Sequence, residues 1–209
     1  MQGLLVVVSG FSGVGKGTLM KELLRRYPDQ YALSISATSR APREGEADGR
    51  EYFFKTDAEF EEMLKNDELI EHCRYANHYY GTPRKYVEEQ MALGKNVILE
   101  IEVQGGLQIR EKFPHAFLLY VLPPSIKELY RRLMERGTET KDVIMTRMKR
   151  AVEECAFIGQ YDETIMNDDL ETCVHELHEM LTGRQKLLSE RAALVADLEK
   201  QLKDLTKGE

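Results

Sequence analysis

The chain has 209 residues, 42% hydrophobic and 31% charged, with a formal net charge of −7. That composition fits a folded domain with a substantial core and excludes a disordered chain or a bulk nucleic-acid binder, which needs a basic face. No apolar run nears the ~20 residues that span a bilayer, and the N-terminus lacks the basic flank and cleavage site of a secretion signal.

An apolar, β-branched run at residues 4–8 opens the chain and predicts a strand buried on both faces. It leads into Gly10-Phe11-Ser12-Gly13-Val14-Gly15-Lys16-Gly17-Thr18, and a helical pattern follows until Pro28 stops it. Strand, glycine loop and helix in that order are the context of a phosphate-binding loop. The glycines let backbone N–H groups turn towards an anion, the helix N-terminus adds partial positive charge, and Lys16 reaches the outer phosphates. The usual pattern has Ser or Thr directly after the lysine. Here Gly17 stands there, and the hydroxyl comes one place later at Thr18.

Residues 33–94 differ in character, with Tyr52, Tyr75, Tyr79, Tyr80 and Tyr86, several glycines, and alternating segments such as Glu51-Tyr52-Phe53-Phe54. They predict a small, partly β lobe inserted between the first and second core strands, well placed for a second substrate. Within it Arg40 and Arg43 stand three apart around Pro42, with Tyr52 downstream. Guanidinium forks and a tyrosine hydroxyl are phosphate-binding groups. Further strands are predicted at 96–103, 116–122 and 164–166, separated by helical patterns, which implies a parallel sheet wrapped by helices. Glu100 and Glu102 alternate along the strand at 96–103 and are expected to share one face.

Ser125-Ile126-Lys127-Glu128 reads as a capping box, with Glu128 returning to the backbone, and opens a helix that Gly137 ends. Thr140 or Asp142 starts a second long helix to about Phe157, and Asn167-Asp168-Asp169 can cap the last helical region. Arg132 and Arg136, four apart, share a helical face, and Arg147 lies on the following helix. Cys73, Cys155 and Cys173, odd in number and scattered, read as free thiols of a reducing cytoplasm. Cys173, His175 and His178 are near one another, but with no second ligand cluster they read as coincidence rather than as a metal site.

With these features in order, the chain resembles the guanylate kinases, P-loop enzymes that move a phosphoryl group from ATP to GMP, over about residues 4–181. Besides the glycine loop, the resemblance rests on Ser36 to Arg43, Tyr52, Leu69-Ile70-Glu71, Tyr79-Tyr80-Gly81-Thr82, Leu99 to Gly105, Arg136-Gly137-Thr138-Glu139-Thr140 and Asn167-Asp168-Asp169-Leu170. It implies an α/β P-loop three-layer fold with a central parallel sheet. The kinase domain would span 1–182, with its core at 1–32 and 95–182, a GMP-binding lobe at 33–94 and a helical lid at about 137–149. Residues 183–209 lie beyond the resemblance and are read from their own pattern as a helical C-terminal extension.

The resemblance also implies roles. ATP would be held by Gly10, Phe11, Ser12, Gly13, Val14, Gly15, Lys16, Gly17 and Thr18, with Arg132, Arg136 and Asn167. The GMP phosphate would be gripped by Arg40, Arg43, Tyr52 and Tyr80, and guanine surrounded by Ser36, Glu71, Thr82 and Glu102. Lys16, Arg40, Arg132, Arg136 and Arg147 would be the catalytic cations. Mg²⁺ would accompany ATP, contacted through water by Thr18 and Glu100. The family commonly has aspartate at the positions of Glu100 and Glu102, so the longer glutamates leave open how metal and GMP contacts divide between them. The expected partners are ATP and GMP, with dGMP a further acceptor, and neither nucleic acid nor membrane; the expected compartment is the cytoplasm.

The guanine assignment has its own physical support. Guanine offers two adjacent donors that one carboxylate accepts together, whereas adenine presents a lone pair at N1 and would repel it. Two rival readings exist. One is a non-catalytic guanylate-kinase-like binding module, which typically loses the phosphate loop kept here. The other is a kinase of another phosphorylated ribose compound, against which Ser36, Glu71 and Thr82 argue.

Beyond the resemblance, Leu181, Leu188, Val195 and Leu202 fall seven apart, with Leu198 and Leu205 between. The pattern suits either a short coiled coil that pairs two copies into a homodimer or a helix packed back on the chain's own core. It falters at Arg184 and Arg191.

Overall fold

A computed structural model describes residues 3–75, 77–135, 140–183 and 191–207. The chain divides into two compact units, residues 1–7 with 27–117 and residues 8–26 with 118–209.

The apolar opening run forms β1 (Leu5–Gly10), which is buried through Ser9 and passes from the first unit to the second after Val7. The glycine loop ends where α1 (Lys16–Arg26) begins, burying Leu19, Met20 and Leu23. Next come β2 (Tyr31–Leu33), β3 (Ala37–Thr38), β4 (Phe53–Phe54), α2 (Asp57–Lys65), β5 (Leu69–Tyr75), β6 (His78–Pro83) and α3 (Arg84–Ala92). Then follow β7 (Asn96–Glu100), α4 (Val103–Lys112), β8 (Phe117–Leu122), α5 (Ile126–Glu135), α6 (Lys141–Cys155), β9 (Glu163–Met166), α7 (Leu170–Leu181) and α8 (Arg191–Lys207).

The central sheet has the order β2-β7-β1-β8-β9, with β2 parallel to β7 and β8 parallel to β9. It is the predicted parallel sheet wrapped by helices, with one strand more, the three-residue β2. In the first unit the sheet residues Val6, Val7, Val97, Ile98 and Leu99 are buried. In the second, Leu118 to Leu122 and Ile165 are buried, and Tyr120 meets Phe11 and Tyr161 edge-on.

Within 33–94 a second sheet has the order β4-β3-β6-β5, with β5 and β6 antiparallel. Asn77 at φ 66° supplies the left-handed turn residue between them, a conformation asparagine tolerates. This sheet packs on α2 through Ala37, Phe60 and Leu69, and Phe60 stacks on Tyr79 at 5.1 Å. The helix α2 opens with a complete capping box, Thr56 and Glu59. The box expected at Ser125 is only half as predicted. Ser125 Oγ accepts from Glu128 N at 3.1 Å, but the Glu128 carboxylate accepts from Arg131 and Arg132.

Thr140 caps α6 and Asp169 caps α7, each accepting from the backbone three residues on. Beyond α7, Leu198 and Leu202 of α8 are 1% and 0% exposed, α8 packs along α6 and α5, and Leu205 is 37% exposed. Two heptad positions are therefore spent within the chain; Leu188 lies outside the described residues.

Candidate functional site

In the second unit the glycine loop turns sharply between β1 and α1. Gly13 and Gly15 have φ of 90° and 99°, where side-chain-bearing residues are strained. A Cβ at Gly15 would also stand 2.6 Å from Asn167 Nδ2. That amide donates to Val14 O at 2.9 Å, so Asn167 shapes the loop from the end of β9. Lys16 Nζ donates to Gly10 O at 2.7 Å, curling back over the loop it follows. Arg132 Nη1 donates to Val14 O at 3.2 Å and Asn167 O at 3.0 Å, and Arg147 Nη1 donates to Ser12 Oγ. The second unit thus gathers Lys16, Arg132, Arg147 and Asn167 around one loop. Phe11 and Val14 are fully buried, so their contribution is backbone alone. Gly17 and Thr18 are exposed on the first turn of α1.

In the first unit, Arg40 lies 5.4 Å from the Tyr52 ring centroid, and Tyr52 meets Tyr80 edge-on at 6.0 Å. Arg40 Nη2 donates to both oxygens of Glu46, at 3.0 and 2.9 Å, and Glu46 also accepts from Arg43 N at 2.7 Å. The Arg43 N–H and Arg40 guanidinium hold the Glu46 carboxyl below its usual range. Burial, then the nearby Tyr80, raises the Tyr52 hydroxyl. The Arg43 side chain is exposed.

Glu71 is 3% exposed on β5. Thr82 Oγ1, directly across on β6, donates to its Oε1 at 2.6 Å. Burial pushes the Glu71 carboxyl up to about 7, opposed by the Thr82 hydroxyl and the Lys112 charge. Ser36 precedes β3 and its carbonyl accepts from Phe53 N.

The guanylate kinase family model matches residues 2–184. The chain belongs to the guanylate kinase family. The guanylate kinase of Bacillus cereus strain ZK / E33L is 44% identical over 207 residues, covering 99% of this chain and 98% of the relative. That of Halalkalibacterium halodurans is 45% identical over 198 residues, covering 93% and 97%. Among solved structures, guanylate kinase from Anaplasma phagocytophilum superposes with a TM-score of 0.71 at 31% identity, over 88% of this chain and 87% of that one.

Against the expectations for a guanylate kinase, Arg40, Tyr52 and Tyr80 come together, as do Glu71 and Thr82. One expectation is corrected. The strand predicted at 96–103 stops at Glu100, and Glu102 is the N-cap residue of α4, so the two glutamates do not share a strand face. The backbone must leave the strand there to start the helix. Glu100 is half-buried and Glu102 exposed. Arg136 and residues 137–139 of the expected lid lie outside the described residues. Sequence reasoning missed Glu46, which orients Arg40, and Glu128, which accepts from Arg132 Nε at 2.8 Å. Glu128 stands four residues before Arg132, a spacing that announces such pairs; Glu46, in an irregular loop, carries no such signal.

Among the described residues no group of three or more His, Cys, Asp or Glu is gathered for a metal ion. His175 on α7 is exposed while Cys173 is buried. All three cysteines are free thiols. No helix of the described residues is long and apolar enough to cross a membrane.

Proposed function

We propose that the protein catalyses ATP + GMP ⇌ ADP + GDP, a phosphotransferase of purine nucleotide metabolism. The observation that carries the reading is the buried Glu71 carboxylate with the Thr82 hydroxyl 2.6 Å away, in a chain that also keeps an intact phosphate loop. A carboxylate so placed accepts the two donors of guanine and repels adenine.

ATP phosphates bind the backbone N–H groups from Gly10 to Thr18, with Lys16 leaving the Gly10 carbonyl to meet them. Arg132 and Arg147, with Arg136, neutralise the transferring group, while Asn167 fixes the loop. GMP binds through Arg40, Arg43, Tyr52 and Tyr80 at its phosphate and through Ser36, Glu71, Thr82 and Glu102 at its base. The nucleophile is a GMP phosphate oxygen that is already anionic, so no side-chain base is needed. Its lone pair forms the new bond to the γ-phosphorus as the bond to the ADP oxygen breaks, and ADP leaves with that electron pair. Positioning and charge neutralisation are the protein's contribution.

Magnesium takes hard oxygen donors, and the exposed Thr18 hydroxyl in the second unit and the Glu100 carboxylate in the first are each such a donor, either of which would meet it through water. When bound it screens the charge on the ATP phosphates. None of the assigned contacts is to the ribose 2′ position, which supports dGMP as a second acceptor. Free thiols support a cytoplasmic setting.

We divide the chain as a kinase domain at 1–182, with its GMP lobe at 33–94 and lid at about 137–149, and an extension at 183–209. Self-association through α8 is the weaker reading of that extension, because Leu198 and Leu202 are buried within the chain. Coupled ADP release with GMP, dGMP, AMP and other nucleoside monophosphates tests the assignment. Turnover is expected with GMP and dGMP. Equal turnover with AMP would refute guanine reading, and none with any monophosphate would leave the binding-module reading.

A further inference from the structure

The strand that carries Glu71 is the outer strand of its sheet, in the order β4-β3-β6-β5. An outer strand leaves a row of N–H and C=O groups to be satisfied by something else. Here α4 does it. Gln108 Oε1 accepts from His72 N at 3.2 Å, and its Nε2 donates to His72 O at 2.8 Å. These are the two bonds that the peptide groups of a neighbouring strand would make, supplied by one primary amide. Lys112 Nζ donates to Ile70 O at 3.1 Å. Residues 70 and 72 flank Glu71, so α4 holds the backbone on both sides of the carboxylate-bearing residue.

Gly105, Gln108 and Lys112 are spaced three and four apart and lie on one face of α4. Gly105 is where that face meets the side chain itself. A Cβ there would stand 2.7 Å from Glu71 Oε2 and 3.4 Å from Glu71 Cδ, with Ile101 Cδ1 at 3.3 Å. One carboxylate oxygen is therefore fixed by the Thr82 hydroxyl, and the other fills the space that a side chain at 105 would occupy. The Lys112 charge also favours the ionised carboxylate against the cost of burial.

We propose that the Gly105–Gln108–Lys112 face of α4 is the positioning element of guanine recognition, setting the depth and orientation of Glu71. This rests on the reading of Glu71 as the guanine-binding carboxylate. None of the three touches the substrate; they act through Glu71. Because the two donors of guanine have fixed spacing, a carboxylate displaced by the width of a methyl group loses the paired arrangement while phosphate contacts and ATP binding persist.

Steady-state kinetics with each substrate varied in turn tests this. Gly105→Ala should raise KM for GMP about tenfold or more, with kcat and KM for ATP within about threefold. Gln108→Leu, which leaves the packing of Gly105 alone, should raise KM for GMP by about threefold or more. Glu71→Asp shortens the side chain and relieves the Cβ at 105. In the Gly105→Ala background it should therefore cost at least about threefold less than it does alone. A merely structural role for Gly105 would not produce that coupling.

The proposal is overturned if Gly105→Ala and Gln108→Leu leave KM for GMP unchanged, or if the Gly105→Ala and Glu71→Asp effects multiply independently, while Glu71→Gln alone raises KM for GMP; the Glu71 reading then stands. If Glu71→Gln also leaves it unchanged, both readings fall. Should Gly105→Ala not fold, Gln108→Leu carries the test on the same criteria.

Discussion

The ionisation of Glu71 sets folding and substrate binding against each other. Its carboxyl is pushed from 4.5 to about 7, chiefly by burial. Because the folded value lies above the unfolded one, the native state holds more protons than the unfolded state between the two. Stability from this group is therefore fully present below the unfolded value and is lost as pH rises through the folded one. The shift corresponds to about 3 kcal/mol in order of magnitude, lost between about pH 4.5 and 7 and constant above. Glu71→Gln keeps an acceptor for Thr82 without the buried charge, so it should be more stable than the parent at about pH 8, with the difference vanishing below about pH 5.

GMP bound as proposed makes the opposite demand, since only the ionised carboxylate accepts both donors of guanine. Affinity should fall up to about tenfold per pH unit below 7. The GMP phosphate itself titrates near ~6, but that contribution is common to parent and variant. Calorimetric GMP titrations between about pH 5.5 and 8.5 on both proteins isolate the carboxylate as the difference between the curves. Lys112→Met should move the inflection upward, because it removes the charge that favours ionisation. Parallel curves for parent and Glu71→Gln would refute the reasoning. So would denaturant unfolding in which the variant's advantage does not grow with pH.

Three further outcomes are expected. Lys16→Ala should lower kcat about a hundredfold or more while the unfolding midpoint is unchanged, since the lysine is bound to loop carbonyls and packs in no core; near-normal GDP formation by the folded variant would contradict the kinase reading. Leu202→Ala, at a side chain 0% exposed, should cost about 2–5 kcal/mol in denaturant unfolding, and a cost under about 1 would show that α8 does not pack as described. Sedimentation of the full chain beside one ending at Gly183 should show two monomers, because α8 buries its leucines within the chain; a dimer lost on truncation would restore the coiled-coil reading.

What the sequence made legible was what carries strong local patterning. The run into β1, the glycine loop and the start of α1 are each set by neighbouring residues, so a window of a dozen residues contains the whole signal. The arginine loop was legible as a phosphate binder from its residue types, whereas the Glu71–Thr82 pair was legible only through resemblance. Their meeting is a long-range fact: Thr82 reaches Glu71 only because β5 and β6 form a hairpin turned at Asn77. Glu102 misled because alternation along 96–103 fits a strand, whereas the chain turns into α4 after Ile101. The predicted return of Glu128 to the backbone lost to Arg131 and Arg132, which hold its carboxyl down at about 2. In the tail, the heptad spacing was real and its partner ambiguous, since a stripe of leucines does not say what it faces. Gln108 shows the same limit. Nothing about a glutamine in a helix announces that it stands in for a strand.

Lys16 of the second unit and Arg40 of the first are held in different ways, and under the proposed assignment the difference bears on how each substrate is received. Lys16 lies on the carbonyls of Gly10 and Phe11, Arg132 donates to the carbonyls of Val14 and Asn167, and Arg147 to the Ser12 hydroxyl. Arg132 also pairs with the Glu128 carboxylate at 2.8 Å, whereas Lys16 lies on neutral carbonyls, to which a phosphate adds the attraction of opposite charge. Arg40 instead faces a carboxylate, with both Glu46 oxygens on its Nη2. Under the proposed assignment a GMP phosphate arriving there exchanges one anion for another, and the net gain would come from the remaining Arg40 donors together with Arg43, Tyr52 and Tyr80. Under the proposed assignment Lys16 thus gains charge interaction when ATP binds. On the same reading Arg40 is paired with an anion before and after GMP binds, so that discrimination would fall to Glu71 and Thr82.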